Sequence, residues 1–205
     1  MIHFENENVV PASDCVVIKI HDSDILSSKS SGFIIGDDSL RNLRVGFAQI
    51  IKIGEKAKME TGLEEGSWAF YDKLSTFYHT EPIAILRYSG LIMETNAERT
   101  AYRAMGGRCI VQEAEKAKTE DEKNATGFII PDKEDEMRIG VIKSITPPYE
   151  GDGENNASNF KVGDRILLTK DERDVLHGFN GDKGLDPSKP IYIYRTSAII
   201  AKVNN

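Results

Sequence analysis

Four histidines, His3, His21, His79 and His177, and two cysteines, Cys15 and Cys109, are the residues of this 205-residue chain best suited to nucleophilic or metal chemistry. Zinc sites draw on clustered Cys and His ligands, with pairs such as Cys-x-x-Cys. Here the histidines are isolated in the sequence and neither cysteine has such a partner. No motif places a Ser-His-Asp or Cys-His arrangement. His79, between Tyr78 and Thr80, reads as a surface or partly packed residue. Asp152-Gly153-Glu154-Asn155-Asn156 offers oxygen ligands without the spaced loop of an EF-hand, and reads as a solvated hairpin. Cys15 and Cys109 read as small buried residues at equivalent strand positions. No enzyme activity, metal or cofactor is expected.

What remains is the chemistry of association. Ser31-Gly32-Phe33-Ile34-Ile35 recurs as Thr126-Gly127-Phe128-Ile129-Ile130. The first copy follows the serine-rich stretch Asp22 to Ser31, and the second follows the Glu- and Lys-rich stretch Glu113 to Asn124. Asp37-Asp38-Ser39 and Asp132-Lys133-Glu134-Asp135-Glu136 come after them. Segments this polar cannot bury enough apolar surface to offset the entropy of ordering. Three large apolar residues inside such a segment invite aggregation when exposed and act as an anchor when docked in a partner's groove. Gly32, Phe33, Ile34 and Ile35, with Gly127, Phe128, Ile129 and Ile130, are therefore the candidate binding residues. A buried strand after a glycine turn is the competing reading for a single copy, and two copies in matching places weaken it.

The elements around these hooks repeat in the same order. Cys15-Val16-Val17 matches Cys109-Ile110-Val111, and Arg44-Val45-Gly46 matches Arg138-Ile139-Gly140. Glu65-Gly66-Ser67 matches Val162-Gly163-Asp164, and the stretch Pro82 to Ile92 matches Pro190 to Ile200. The blocks are short and rich in strand formers, with turn signals between them. They predict an all-β chain of two tandem small barrels, 1–95 and 108–205, each closed or nearly so. Ala97 to Met105 is the one convincing helix in the sequence, with Asn96 as N-cap and Gly106-Gly107 as stop and hinge. It would make 96–107 a helical linker.

Composition narrows the partners. With 40% hydrophobic and 29% charged residues the chain is an ordinary globular protein, and its net charge of −7 does not suit a nucleic-acid backbone. Apolar runs such as Cys15 to Ile18 are too short to span a bilayer. Met1-Ile2-His3-Phe4-Glu5 does not read as a signal peptide, so a reduced cytoplasmic protein is expected.

In both halves the series resembles the GroES-type co-chaperonin family of ten-kilodalton chaperonins. That family has an early strand, a mobile loop with a Gly-apolar-apolar-apolar hook, an Arg-Gly-apolar strand, a Val-Gly-Asp turn and a C-terminal strand with Ser-x-Ile-apolar-Ala. Lys161-Val162-Gly163-Asp164 matches the turn, and Ser197-Ala198-Ile199-Ile200-Ala201 matches the end. The first half departs more, with Glu65-Gly66-Ser67 at the turn and Gly90-Leu91-Ile92-Met93 at its end. Ser31-Gly32-Phe33-Ile34-Ile35-Gly36 is similar to the hook of tailed-phage co-chaperonins. The resemblance implies GroES-like barrels, and hooks that lie between two apical helices of a GroEL-type chaperonin. It implies a ring oligomer, indirect enclosure of an unfolded client, and a site in the host cytoplasm if phage-encoded. It also implies ring contacts between edge strands, here Cys15 to Ile20 with Ile191 to Tyr194, and Cys109 to Gln112 with Ile83 to Leu86 inside the chain. A non-enzymatic structural or virion protein on the same duplicated barrel is the alternative. The zinc-dependent alcohol dehydrogenases that share this fold need a nucleotide-binding domain, for which there is neither room nor a Gly-x-Gly-x-x-Gly motif.

Overall fold

The computed structural model describes residues 9–21, 45–80, 82–116, 138–150, 156–168, 173–175 and 191–203. Runs of β-branched and aromatic residues become strands, and the glycine and polar clusters between them become turns. In the first half these are β1 (Cys15–Ile20), β2 (Val45–Ile53), β3 (Trp68–Asp72), β4 (Thr76–Thr80), β5 (Ile83–Arg87), β6 (Leu91–Thr95) and β7 (Tyr102–Ala104). They form an antiparallel sheet in the order β4-β5-β1-β2-β3-β6-β7. In the second half, β8 (Arg108–Lys116), β9 (Arg138–Ile145), β10 (Arg165–Leu168), β11 (Arg173–Val175), β12 (Ile191–Arg195) and β13 (Ile199–Lys202) form another, ordered β11-β12-β8-β9-β10-β13.

Apart from β7, the two orders coincide element by element, and so do two of the irregularities. Register shifts fall between Val17 and Ile18 in the first half and between Ile110 and Val111 in the second. Another pair falls at Phe70/Tyr71 and Leu167/Leu168. A 3-10 turn, Tyr88–Gly90 or Thr196–Ala198, leads into the last strand of each half.

The pairing corrects two of the sequence alignments. Cys15 lies opposite Arg87, whereas Arg108 lies opposite Arg195, so the counterpart of Cys15 is Arg108 and that of Cys109 is Val16. Val16 and Cys109 both face the core of their own half. A slip of one residue exchanges the faces of a strand, which is why matching the cysteines misleads. Likewise Ile50 and Ile142 each donate to the residue before β3 or β10, Ser67 or Asp164, at 2.8 and 3.0 Å. In that register Gly46 corresponds to Arg138, and Gly140 to Ala48.

The expected helix Ala97–Met105 is not formed. The Asn96 side-chain oxygen accepts from the N–H groups of Thr100 and Ala101, at 2.7 and 3.2 Å, and Arg99 takes a left-handed φ of 58°. Those N–H groups are thereby drawn into a turn, and Tyr102–Ala104 returns antiparallel to β6. Helix α1 is instead Glu55–Thr61, which buries Ala57 and Thr61 one turn apart and ends on Gly62 at φ 68°, whose N–H bonds Lys58 O. At the corresponding place after β9 stand Pro147 and Pro148.

Nor are 96–107 a hinge. Phe47, Phe70, Ile92, Met93 and Ala104 share one apolar cluster with Ile110 and Ile193 of the second half. The core of the first half also takes in Met105 and Tyr149, and the Tyr149 ring meets Tyr88 edge-on with centroids 4.8 Å apart. Gly106 has φ 53° and packs so closely on Tyr149 that a Cβ would collide with its ring. Among the described residues neither sheet closes into the expected barrel. In the first, β7 pairs along the free edge of β6 that closure would use; in the second, β13 is an edge strand.

Because the shared cluster spans both halves, Ile92→Ala is expected to cost about 2–5 kcal/mol, read by denaturant unfolding, within a single cooperative transition. Two separate transitions in the unsubstituted chain would show that the halves are independent.

Candidate functional site

The hook residues Gly32 to Ile35 and Gly127 to Ile130 lie outside the described residues. Their points of departure are described. Segment 22–44 joins β1 to β2 and segment 117–137 joins β8 to β9, in each case two neighbouring antiparallel strands well inside the sheet. Both candidate segments therefore interrupt the same connection. At the far end of the second pair, Lys116 is still in register with Arg138.

The root of the first segment carries an aromatic group that the sequence reading did not single out. His21 donates its N–H to Phe47 O at 3.0 Å, and its ring lies 5.4 Å from Phe47 and 6.0 Å from Trp68. Phe47 stacks on Trp68 at 4.9 Å and tilts against Phe70 at 5.2 Å. The Arg99 guanidinium sits over the Phe47 ring at 4.3 Å, a contact worth about 0.5–1 kcal/mol at an exposed site. In the second half Ile139, Leu167 and Arg165 take the places of Phe47, Phe70 and Trp68, so the two roots differ. The aromatics were visible one by one; only the pairing of β2 with β3 assembles them.

At the turn matched by Val162-Gly163-Asp164, the carboxylate of Asp164 accepts from Lys161 N–H at 3.0 Å and meets Lys202 Nζ of β13 at 2.7 Å. Gly163, at φ 92°, donates to Ile142 O. Ser67 does the corresponding work in the first half, its Oγ accepting from Glu64 N–H at 3.1 Å, with Gly66 at φ 91° donating to Ile50 O. These turns tie strands together.

The thiols are not poised for chemistry. Burial pushes Cys109 up to about 12. Burial raises Cys15 as well, helped by its contact with Asp14 at 3.4 Å. His79 is exposed on β4. Among the described residues no group of three His, Cys, Asp or Glu is placed to hold a metal ion, and no helix is long and apolar enough to cross a membrane.

One edge is finished in the first half and open in the second. Ile92 is buried and its carbonyl accepts Met105 N–H at 3.1 Å; its counterpart Ile200 is 52% exposed. Met93 is buried and Ala201 exposed; Phe47 and Phe70 are buried, Ile139 and Leu167 only half-buried. The difference is β7 and the second half behind it, which cover the first face and have no equivalent on the second among the described residues.

Residues 101–203, from just before β7 to just past β13, match the family model of the chaperonin 10 kDa subunit. The match covers half of the chain. This chain belongs to the chaperonin 10 kDa subunit family. No match is found among curated proteins. The family gives the chain a co-chaperonin role in general terms, and with it a GroEL-type chaperonin as partner and an oligomeric ring. Within the match, β7 goes with the second half in sequence although it pairs with the first half in space.

The Lys202 ammonium, with help from Lys161, holds the Asp164 carboxyl below the usual carboxylate range. A depressed folded-state value means the pair stabilises above the ordinary carboxylate value and is lost as pH falls through the folded one. Asp164→Asn should therefore lower stability near neutrality, and the gap to the unsubstituted chain should narrow on acidification. Denaturant midpoints at neutral and acid pH check this; a gap that does not change with pH would mean the carboxylate's charge contributes nothing.

Proposed function

We infer that this chain is a tandem-duplicated co-chaperonin that caps a GroEL-type chaperonin ring through two apolar hooks and assists ATP-dependent folding of a client held inside. It does so in the cytoplasm, the host's if the gene belongs to a phage. The observation that carries the reading is the shared place of the hook segments. Gly32-Phe33-Ile34-Ile35 and Gly127-Phe128-Ile129-Ile130 each fall in the connection between the same two neighbouring strands of sheets with the same order and two matching bulges. Duplication accounts for that coincidence directly, with units at 1–95 and 108–205. The role is one of binding, without catalytic groups of its own.

The energetics favour many weak hooks. Three large apolar side chains contribute roughly 5–8 kcal/mol when buried. Ordering the loop costs on the order of 1–2 kcal/mol per residue, so a single hook is barely net favourable. Linked hooks raise avidity by about 10²–10⁴, which permits tight capping and timely release. A ring supplies that linkage, and a chain with two units closes one with half as many subunits as a single-unit protein.

The edges that join the ring are not the strands the resemblance first implied. β1, β5, β8 and β12 each have a neighbour on both sides within their own sheet. The open edge of β13, exposed at Ile200 and Ala201, is the better candidate.

Ile34→Asp combined with Ile129→Asp should abolish binding to a GroEL-type chaperonin and leave circular dichroism unchanged, since an unpaired charge is not accepted in an apolar groove. Loss of the sheets in this variant would place the hooks in the core and overturn the reading.

A further inference from the structure

Single large apolar side chains at the surface are ordinary, but Leu74 and Phe77 lie three residues apart and are 78% and 60% exposed. The stretch that carries them is held at three points. Asp72 Oδ1 accepts from Leu74 N–H at 3.0 Å and so caps the 3-10 turn Lys73–Ser75. Thr76 closes that turn, its Oγ1 donating to Lys73 O at 2.8 Å and its N–H to the same carbonyl. Gly90 lies so close behind it that a Cβ there would stand 2.6 Å from Ser75 Cβ. Lys73, Ser75 and Thr76, all half-buried, set polar groups beside the two apolar ones. A folded tip of this kind offers a partner apolar area whose ordering cost has already been met.

The tip's place points to its partner. Leu74 stands two residues past Asp72, and Asp72 is in register with Val45, the first residue of β2 after segment 22–44. The tip therefore adjoins the point where that segment re-enters the sheet. Met59 and Val162 are similarly exposed but lie after the far end of β2 and before the start of β10, remote from both connections. The form of β4 narrows the partner further. Its register against β5 passes from Thr76 to Tyr78, so Phe77 is an extra residue bulged from a strand that is an edge among the described residues. A bulge re-aims a side chain and also spoils the edge for pairing with a further strand. Extended polypeptide, such as an unfolded client, is poorly accommodated there, whereas a preformed apolar surface can take the Phe77 ring. The second half does not repeat this arrangement. Arg173, Asp174 and Val175 of β11 pair with Tyr194, Ile193 and Tyr192 without a shift, so charged residues replace Thr76 and Tyr78, and Phe77 has no counterpart.

We propose that Leu74 and Phe77 form a second, preformed contact of the first half with the chaperonin ring, seated on an apolar patch beside the place that takes segment 22–44. The contact rests on the chaperonin as partner, which the family supplies, but on neither hook. It complements a hook, whose apolar gain is largely offset by the cost of ordering its loop. A rigid contact on the same body carries no such cost and makes the hook's docking intramolecular. Because β11 lacks the bulged aromatic residue, the two halves engage the ring unequally, the first more tightly.

The test is equilibrium binding of full-length chains to a GroEL-type chaperonin with nucleotide. Leu74→Ser with Phe77→Ser should weaken binding by about tenfold or more, chiefly by faster dissociation, with circular dichroism and denaturant midpoint unchanged. Met59→Ser with Val162→Ser, which removes as much exposed apolar surface elsewhere, should bind as the unsubstituted chain does. A photocrosslinker in a single position, Phe77→p-benzoylphenylalanine, supplies a measure that does not depend on the double variant folding. It should join the chain to the chaperonin without client, and equally when reduced, alkylated α-lactalbumin is added as an unfolded client. Normal affinity of a folded Leu74, Phe77 variant, equal weakening by the Met59, Val162 variant, or capture of the client in place of the chaperonin would each overturn the proposal. Normal binding after Ile34→Asp with Ile129→Asp, beside a weakened Leu74, Phe77 variant, would sink the hooks and leave the tip standing. The reverse pattern would sink the tip alone.

Discussion

Arg108 is the first residue of β8, and its guanidinium spans the boundary to satisfy carbonyls at the end of one half and the start of the next. The last turn of the first half and the Met105-Gly106 corner would otherwise present unpaired acceptors at a packed interface, and an unsatisfied buried polar group costs more than a typical hydrogen bond gains. With those carbonyls held, β7 lies flat along β6, Gly106 folds back at a left-handed φ, and Tyr149 closes against Tyr88. The apolar cluster of Phe47, Ile92, Ile110 and Ile193 is then sealed from both sides. A connection that reads as a flexible linker is thereby tied to both halves by hydrogen bonds and packing.

That packing also fixes where the two candidate segments depart. Both hook segments leave from the same neighbouring pair of strands in their sheets, and the sheets share a core. The separation of the two strand pairs from which those segments depart is set by packing rather than by a tether. The roots differ in composition. His21, Phe47, Trp68 and Arg99 pack together at the first, and Ile139 and Arg165 stand in the places of Phe47 and Trp68 in the second. A duplicated fold is in this way free to diverge at its loops while the strand order stays the same.

Much of this was legible in the residues. The β-branched run Val16 to Ile20, the Gly66 and Gly163 turns, and the doubled order of motifs follow from rules of strand propensity and turn chemistry that act over a few residues. The repeated hooks and the family likeness are of the same kind. Several readings failed, each for want of long-range information. Cys15 and Cys109 look equivalent as letters, but only the register against β5 and β12 shows that Cys109 answers to Val16. Ala97 to Met105 has the composition of a helix, and Asn96 does act as a local cap. It caps a hairpin turn, because β6 offers Tyr102–Ala104 a complete set of backbone partners that an isolated helix of that length cannot match.

The sequence by itself determined that this is a β-rich, repeated, non-basic chain with two apolar hooks in polar surroundings, since those properties are local or compositional. Only the tertiary structure decided which edges are finished. Ile92 and Ile200 sit in matching stretches of sequence, yet one is buried and the other open. The reason is physical: exposure belongs to what packs against a residue, and β7 and the second half pack against Ile92, while among the described residues nothing covers Ile200 in the same way.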